Sequence, residues 1–136
     1  VAFICVHNSC RSQMAEAFLK KYGSEYFEVY SAGFEPKGIN PYTVKVMNEK
    51  SIDMSDHSSK ELREYLGKVH FGIIISVCDR AEKTCPTMPG VSRRLFWPFE
   101  DPASFKGTEE EKIDKFREVR DLIEEKIKSW VKEYEE

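Results

Sequence analysis

The sequence predicts an α/β fold, a three-layer sandwich in which a four-stranded parallel sheet is flanked by helices. Three observations predict it. Short apolar runs alternate with stretches of helical periodicity, the pattern of a parallel sheet crossed by helices. The run at Val1–Val6 is continuously apolar, as a strand covered on both faces is, and GIIISV at Gly72–Val77 is the strongest strand signal of the chain. The 136 residues contain no internal repeat, linker or low-complexity tract, so residues 1–136 read as one domain of ordinary size.

Each element has its own signal. Val1–Val6 is the first strand. A helix follows, with Met14, Ala15, Phe18, Leu19 and Tyr22 on one stripe. Phe27–Ser31 reads as a second strand ending at a Ser-Ala-Gly turn. Asn40-Pro41 supplies an N-cap and a first-turn proline for a helix to about Asn48. Ser58 and Glu61 form a capping-box pattern that predicts a further helix with Leu62, Tyr65 and Leu66 inward. His70–Val77 is the strongest strand signal, rich in β-branched residues. Val91–Phe96 is a fourth strand. Thr108 and Glu111 open the last helix with a second capping box, and Ile113, Phe116, Val119, Ile123, Ile127, Trp130, Val131 and Tyr134 form its apolar stripe. Ligands of such folds bind beyond the carboxyl ends of the strands. Cys5, Cys78 and Asp101 follow strand ends and are expected on that one rim.

Composition narrows the function. Hydrophobic residues make up 40% and charged residues 33%, a globular balance with a wet surface. A net charge of -3 offers no general attraction to nucleic acid or an anionic membrane, so an anion would need a local site. No apolar run reaches the roughly 18 residues of a membrane span. The first residues lack a basic leader and a small-residue cleavage site, so no signal peptide is expected and the cytoplasm is the expected compartment. Four cysteines (Cys5, Cys10, Cys78, Cys85) are too few for a disulfide scaffold here, and in a reducing compartment they point to catalysis or redox chemistry.

The most informative segment is Cys5-Val6-His7-Asn8-Ser9-Cys10-Arg11-Ser12, between a buried strand and an amphipathic helix. Such a loop aims successive backbone N–H groups inward and ends at a helix N-terminus, which favours an anion. Arg11 adds a planar fork for two oxygens. Both also favour a thiolate at Cys5, since cysteines so placed have pKa values lowered to roughly 3.5–7.5. Asn8 suits a left-handed backbone position. Ser9 or Ser12 can donate to the Cys5 sulfur. The competing reading makes Cys5 a buried strand cysteine and Arg11 a surface residue, and the strand–loop–helix context weighs against it. Cys10, in the first helical turn, reads as packing.

These residues carry a resemblance. CVHNSCRSQMAEAF (5–18) resembles the signature of the low-molecular-weight tyrosine phosphatase fold, and within it the thioredoxin-coupled arsenate reductases. The likeness continues through YSAGFEPKGINP, IDMSDHSSKEL, the Cys78–Cys85 segment, FEDPAS and FREVRDLIEEKI, covering nearly the whole chain. It implies that Cys5 is the nucleophile, Arg11 the anion ligand, and arsenate the substrate, with phosphate or sulfate as analogues. His7 stands where many relatives have glycine. Were positive φ needed there, histidine would be costly; it is read as a tolerated substitution rather than a catalytic histidine.

A phosphatase needs no second cysteine pair. Cys78 closes the strongest strand and Cys85 lies beyond a polar stretch with almost no apolar anchor, so that segment is expected to rearrange at low cost. Spacing alone suggests a redox pair; two inert cysteines and a zinc site compete, the latter weakened by the spacing and the absence of nearby histidine. The resemblance implies a relay in which Cys5, Cys78 and Cys85 exchange disulfides and an external dithiol, thioredoxin, restores the thiols. It also implies that Asp101 moves a proton, where Asp101-Pro102 alone reads as a turn opener. Relatives that are tyrosine phosphatases tend to place an aromatic residue after this dipeptide; Ala103 here favours a small inorganic anion. Trp97 is read as packing. Some reductases of the group hold potassium, which by resemblance would use Asn8, Glu16 and Ser31. Lys60 stands where those members carry aspartate, so no potassium or other bound cofactor is expected. The expected protein is a monomer without nucleic-acid or membrane partners. The competing functions are a phosphatase for tyrosine phosphate or small phosphoesters, and an oxyanion- or thiol-sensing regulator.

Overall fold

The computed structural model describes residues 1–55, 57–65, 72–77 and 93–135. Four strands, β1 (Ala2–Cys5), β2 (Tyr30–Gly33), β3 (Ile73–Ser76) and β4 (Arg93–Phe96), pair in the order β2-β1-β3-β4, all parallel. This is the expected α/β class with a four-stranded parallel sheet flanked by helices. Every residue of β1 is buried, with strands paired on both its edges and the helix Arg11–Gly23 packed on it. Phe3 and Ile4 are fully inaccessible, and burying each such side chain stabilises by roughly 1.5–3 kcal/mol relative to exposure.

Among the described residues the α-helices are α1 (Arg11–Gly23), α2 (Pro41–Asn48) and α3 (Glu109–Glu135). Asn40 caps α2 as expected, its Oδ1 accepting from Tyr42 N at 2.9 Å. The Thr108/Glu111 box is reciprocal: Thr108 N donates to Glu111 Oε1 and Glu111 N to Thr108 Oγ1, each at 3.2 Å. In α3 the stripe from Phe116 to Val131 is buried, while Ile113 is half-buried and Tyr134 exposed. Aromatic contacts lace the elements together. Trp97 lies 6.1 Å from Phe3 of β1 and 5.3 Å from Trp130 of α3, which stacks on Phe27 at 4.9 Å between ring centroids. Trp97 is thus a packing residue.

Two expectations need correction. The second strand is Tyr30–Gly33, three residues later than the apolar run suggested, so the supposed Ser-Ala-Gly turn is the strand itself. Its register sets Tyr30 against Ala2 and Gly33 against Cys5, and at Gly33 the loop backbone leaves no room for a side chain. The Ser58/Glu61 pattern opens no α-helix within the described residues. Leu62–Glu64 form one 3-10 turn, and the preceding segment runs along β2, with Gly33 N donating to Lys60 O at 2.8 Å and Gly33 bridging Glu61. Pairing with an open sheet edge outweighs the helical signal. Leu62 is buried as expected and Tyr65 half-buried. Leu66, His70, Val91, Cys78 and Cys85 lie outside the described residues.

Candidate active site

The segment from Cys5 to Ser12 joins the carboxyl end of β1 to the start of α1. Its carbonyl groups are taken from outside, one after another. Val6 O accepts from Glu35 N (2.8 Å), His7 O from Lys37 N (3.2 Å) and Asn8 O from Ser59 Oγ (2.7 Å). Ser9 O accepts from Asn40 N (3.1 Å) and Thr43 Oγ1 (3.2 Å), and Cys10 O from Met14 N (2.9 Å). No peptide bond among them is cis. In a trans peptide the N–H points opposite to the carbonyl of the preceding residue. Four carbonyls drawn outward and a fifth, of Cys10, engaged along α1 therefore turn the amides of residues 7 to 11 toward the loop's interior. There the first turn of α1 adds amides without helical partners.

Asn8 holds the left-handed position, φ 50°, and is fully buried. His7 does not have positive φ, so the histidine incurs no backbone cost there; its Nε2 lies 3.8 Å from Glu35 Oε2. Gly33 closes the underside, where an added Cβ would stand 2.6 Å from Val6 O.

Cys5 and Cys10 are both 5% exposed. Burial pushes the Cys10 thiol up, against weaker opposing hydrogen bonds from Thr43 and Ser9. Ser9 Oγ rests 3.6 Å from Cys10 Sγ, and Ser12 Oγ accepts from Asn8 Nδ2 at 2.8 Å. Arg11 donates through Nη1 to Phe99 O at 3.0 Å, and Nη2 lies 3.7 Å from Asp101 Oδ2. Arg11 Nε is buried without a hydrogen-bond partner.

Asp101 opens a turn, as its Asp-Pro dipeptide suggests. It caps the 3-10 turn Pro102–Ser104, its Oδ1 accepting from Ala103 N (3.0 Å) and its Oδ2 from Ser104 Oγ (2.9 Å), and it faces the loop arginine. Cys5, Arg11 and Asp101 thus occupy the rim together. β3 reaches that rim as well, with Val77 N donating to Ile4 O at 3.0 Å.

Beneath the loop lies a buried carboxylate. Glu16 accepts from Ser31 Oγ at 2.7 Å and has His57 Nδ1 at 3.4 Å, Lys20 Nζ at 3.2 Å and Lys60 Nζ at 3.9 Å. Burial pushes its pKa up, but His57, Ser31 and the two lysines outweigh burial and hold it below the usual carboxylate range. Burial depresses the Lys60 ammonium more than Glu16 raises it. No cluster of three His, Cys, Asp or Glu able to hold a metal occurs among the described residues. Nor is any helix there long and apolar enough to cross a membrane. Sequence reasoning missed the loop's supports, Gln13, Thr43, His57 and Ser59. Gln13 carried a signal, since a polar residue on the inward side of a helix needs a partner.

Fold and loop together set a cysteine, an arginine and an aspartate on one rim of a parallel α/β sheet. The chain belongs to the low molecular weight phosphotyrosine protein phosphatase family, whose model matches residues 1–136. An arsenate reductase of Halalkalibacterium halodurans is 44% identical over 131 residues, covering 96% of this chain and 93% of that one. A solved arsenate reductase in the phosphate binding state superimposes with a TM-score of 0.76 at 29% identity, over 97% and 95% of the two chains. A thioredoxin-dependent arsenate reductase of Corynebacterium glutamicum gives a TM-score of 0.63 at 30% identity, over 94% of this chain and 59% of that one.

Proposed function

We propose that this chain is an arsenate reductase with Cys5 as nucleophile. The observation that carries the reading is the ring of outward-held carbonyls, which leaves consecutive amides to receive an oxyanion. The relatives named above support arsenate as that oxyanion. The orphaned Arg11 Nε offers a buried donor that gains a partner when the anion enters. Asp101, beside Arg11, takes the proton of the Cys5 thiol and returns it to the departing hydroxyl as water.

The electrons come from cysteine pairs. Cys5 attacks arsenic, forming an S–As bond and expelling water. The Cys78 thiolate then attacks the Cys5 sulfur; the S–As bonding pair passes to arsenic, As(V) becomes As(III), and arsenite leaves with a Cys5–Cys78 disulfide behind. Cys85 attacks Cys78, freeing Cys5 and leaving Cys78–Cys85, which an external dithiol such as thioredoxin reduces. Cys78 and Cys85 belong to this scheme by resemblance. On this reading the enzyme works as a monomer in the cytoplasm, without a bound cofactor.

Potassium does not fit the pocket beneath the loop. Asn8 Oδ1 is occupied by Gln13 Nε2 and Lys60 N, and the Lys60 ammonium stands beside Glu16, where it would repel a cation. The reaction should therefore proceed equally in sodium and potassium buffers.

A phosphatase acting on tyrosine phosphate or small phosphoesters is the second reading. It follows from the family and from the likeness of arsenate and phosphate, which one loop separates poorly. Exposed Ala103 offers no aromatic wall for a phenol. Arsenite release, followed with and without a dithiol, tests the proposal. Multiple turnover should require the dithiol and vanish in Cys78→Ser. Retention of turnover in that variant overturns the relay, ester hydrolysis without arsenite release favours the phosphatase, and stoichiometric oxidation alone marks a sensor.

A further inference from the structure

Asn8, the loop's left-handed residue, is held in place mainly by its neighbours. Its Oδ1 accepts from Gln13 Nε2 and from Lys60 N, both at 2.9 Å, and its backbone oxygen accepts from Ser59 Oγ at 2.7 Å and Gln13 Nε2 at 3.2 Å. Gln13 Nε2 also reaches Ser58 O at 2.9 Å. Its two amide hydrogens are shared among three acceptors. Turning the amide over would set its oxygen against three others, so the nitrogen faces the loop. Gln13 Oε1 then faces His57 Nδ1 at 3.1 Å. An amide oxygen only accepts, so Nδ1 must carry a hydrogen. Glu16 Oε1, 3.4 Å from the same nitrogen, demands the same. His57 thus sits in its Nδ1–H tautomer when neutral, a choice made by its neighbours.

We infer that Gln13 is a positioning residue for oxyanion binding: locked by Nδ1–H of His57, its amide fixes Asn8 in the left-handed conformation that turns the loop amides inward. The inference rests on the reading of the loop as an anion cradle. His57 is 11% exposed at its side chain and Gln13 fully buried, so water cannot readily replace a lost donor. Among the described residues, the charged groups facing this network are Glu16 and Lys20 from α1, Lys60 from the segment along β2, and Asp53, whose carboxylate feels His57.

The test uses the full chain and inorganic phosphate, titrated calorimetrically, with Gln13→Met, His57→Asn and His57→Gln. An asparagine amide reaches the place of Nδ1, whereas a glutamine amide reaches the place of Nε2. Gln13→Met should weaken phosphate binding on the order of tenfold, as should His57→Gln, while His57→Asn stays within about twofold of wild type. A merely structural histidine would make its two variants fail alike. Nitrogen-15 spectra of the wild-type imidazole should show Nδ1 protonated in the neutral form, a readout independent of any variant's folding. Gln13→Met binding phosphate normally, equal behaviour of the two His57 variants, or an Nε2–H tautomer overturns the proposal. Wild type that binds no phosphate overturns the cradle reading and this role together, whatever the tautomer.

Discussion

At Gly33 the second strand runs so close beneath the loop that a Cβ would meet Val6 O at 2.6 Å and Asn8 N and Cys5 O at 2.9 Å. All three are backbone atoms, which cannot swing aside as a flexible side chain can. Gly33→Ala should therefore destabilise the protein by about 1–3 kcal/mol in urea unfolding, as overpacking does. Because the displaced atoms belong to the cradle, it should also weaken phosphate binding, where an equally destabilising change in α3 should not. The neighbouring histidine teaches the opposite lesson. His7 has no positive φ, and the left-handed burden falls one residue later, on Asn8. Sequence identified Asn8 for that role because a short polar side chain tolerates it. It could not show that the position before it needs no glycine.

At the scale of elements, α2 is pinned to α3 by one carboxylate. Glu49, just past the end of α2, receives Arg117 Nη2 at 2.7 Å and Arg120 Nη1 at 2.8 Å, and Arg120 also donates to Val46 O at 2.9 Å. Hydrogen bonding from Arg117, joined by Arg120, lowers the Glu49 pKa to about 2. A carboxylate depressed in the folded state contributes stability that is fully present above its unfolded value, roughly 4.3, and is lost as pH falls toward the folded value. Glu49→Gln should thus be less stable than wild type at neutral pH, and the gap should close between about pH 4 and pH 2 in acid unfolding curves. A gap that persists at pH 2 would mean the carboxylate charge is not its source.

Elements were legible where the signal was local. The Asn40-Pro41 cap and the Thr108/Glu111 box fall at the predicted helix starts, because capping is settled within four residues. The second strand and the Ser58 segment were misread because both are decided by distant partners. Gly33 pairs with Cys5 and bridges Glu61, and neither neighbour is visible in a local window. The site shows the same division. Cys5 and Arg11 were legible from their place between a strand and a helix, and Asp101 only by resemblance, since its own dipeptide reads as a turn, while Gln13 and His57 meet through a contact across 44 residues of chain.

For the whole molecule, the aromatic series Phe3–Trp97–Trp130–Phe27 joins the central strand, the rim segment after β4, the last helix and the residues beyond α1. Trp130 is its crossing point and only 6% exposed. Trp130→Ala should lower unfolding stability by about 3–5 kcal/mol, measured in urea, the range for emptying a large aromatic site. Phosphate affinity of the folded fraction should change little, because the rings Trp130 packs on, Phe27, Trp97 and Tyr134, are not residues of the loop that would hold the anion.

The packing of α3 on α1 has a bearing on biosynthesis. Cys5 is translated before α3, yet the helix that carries Arg11 rests on α3, with Tyr22 Oη donating to Glu124 at 2.7 Å and Gly23 lying against Val131. A nascent chain stalled before those residues exposes a thiol with no finished pocket around it. Chemical competence therefore arrives late in translation, and truncated products should carry a sulfhydryl that labels readily yet gives no turnover.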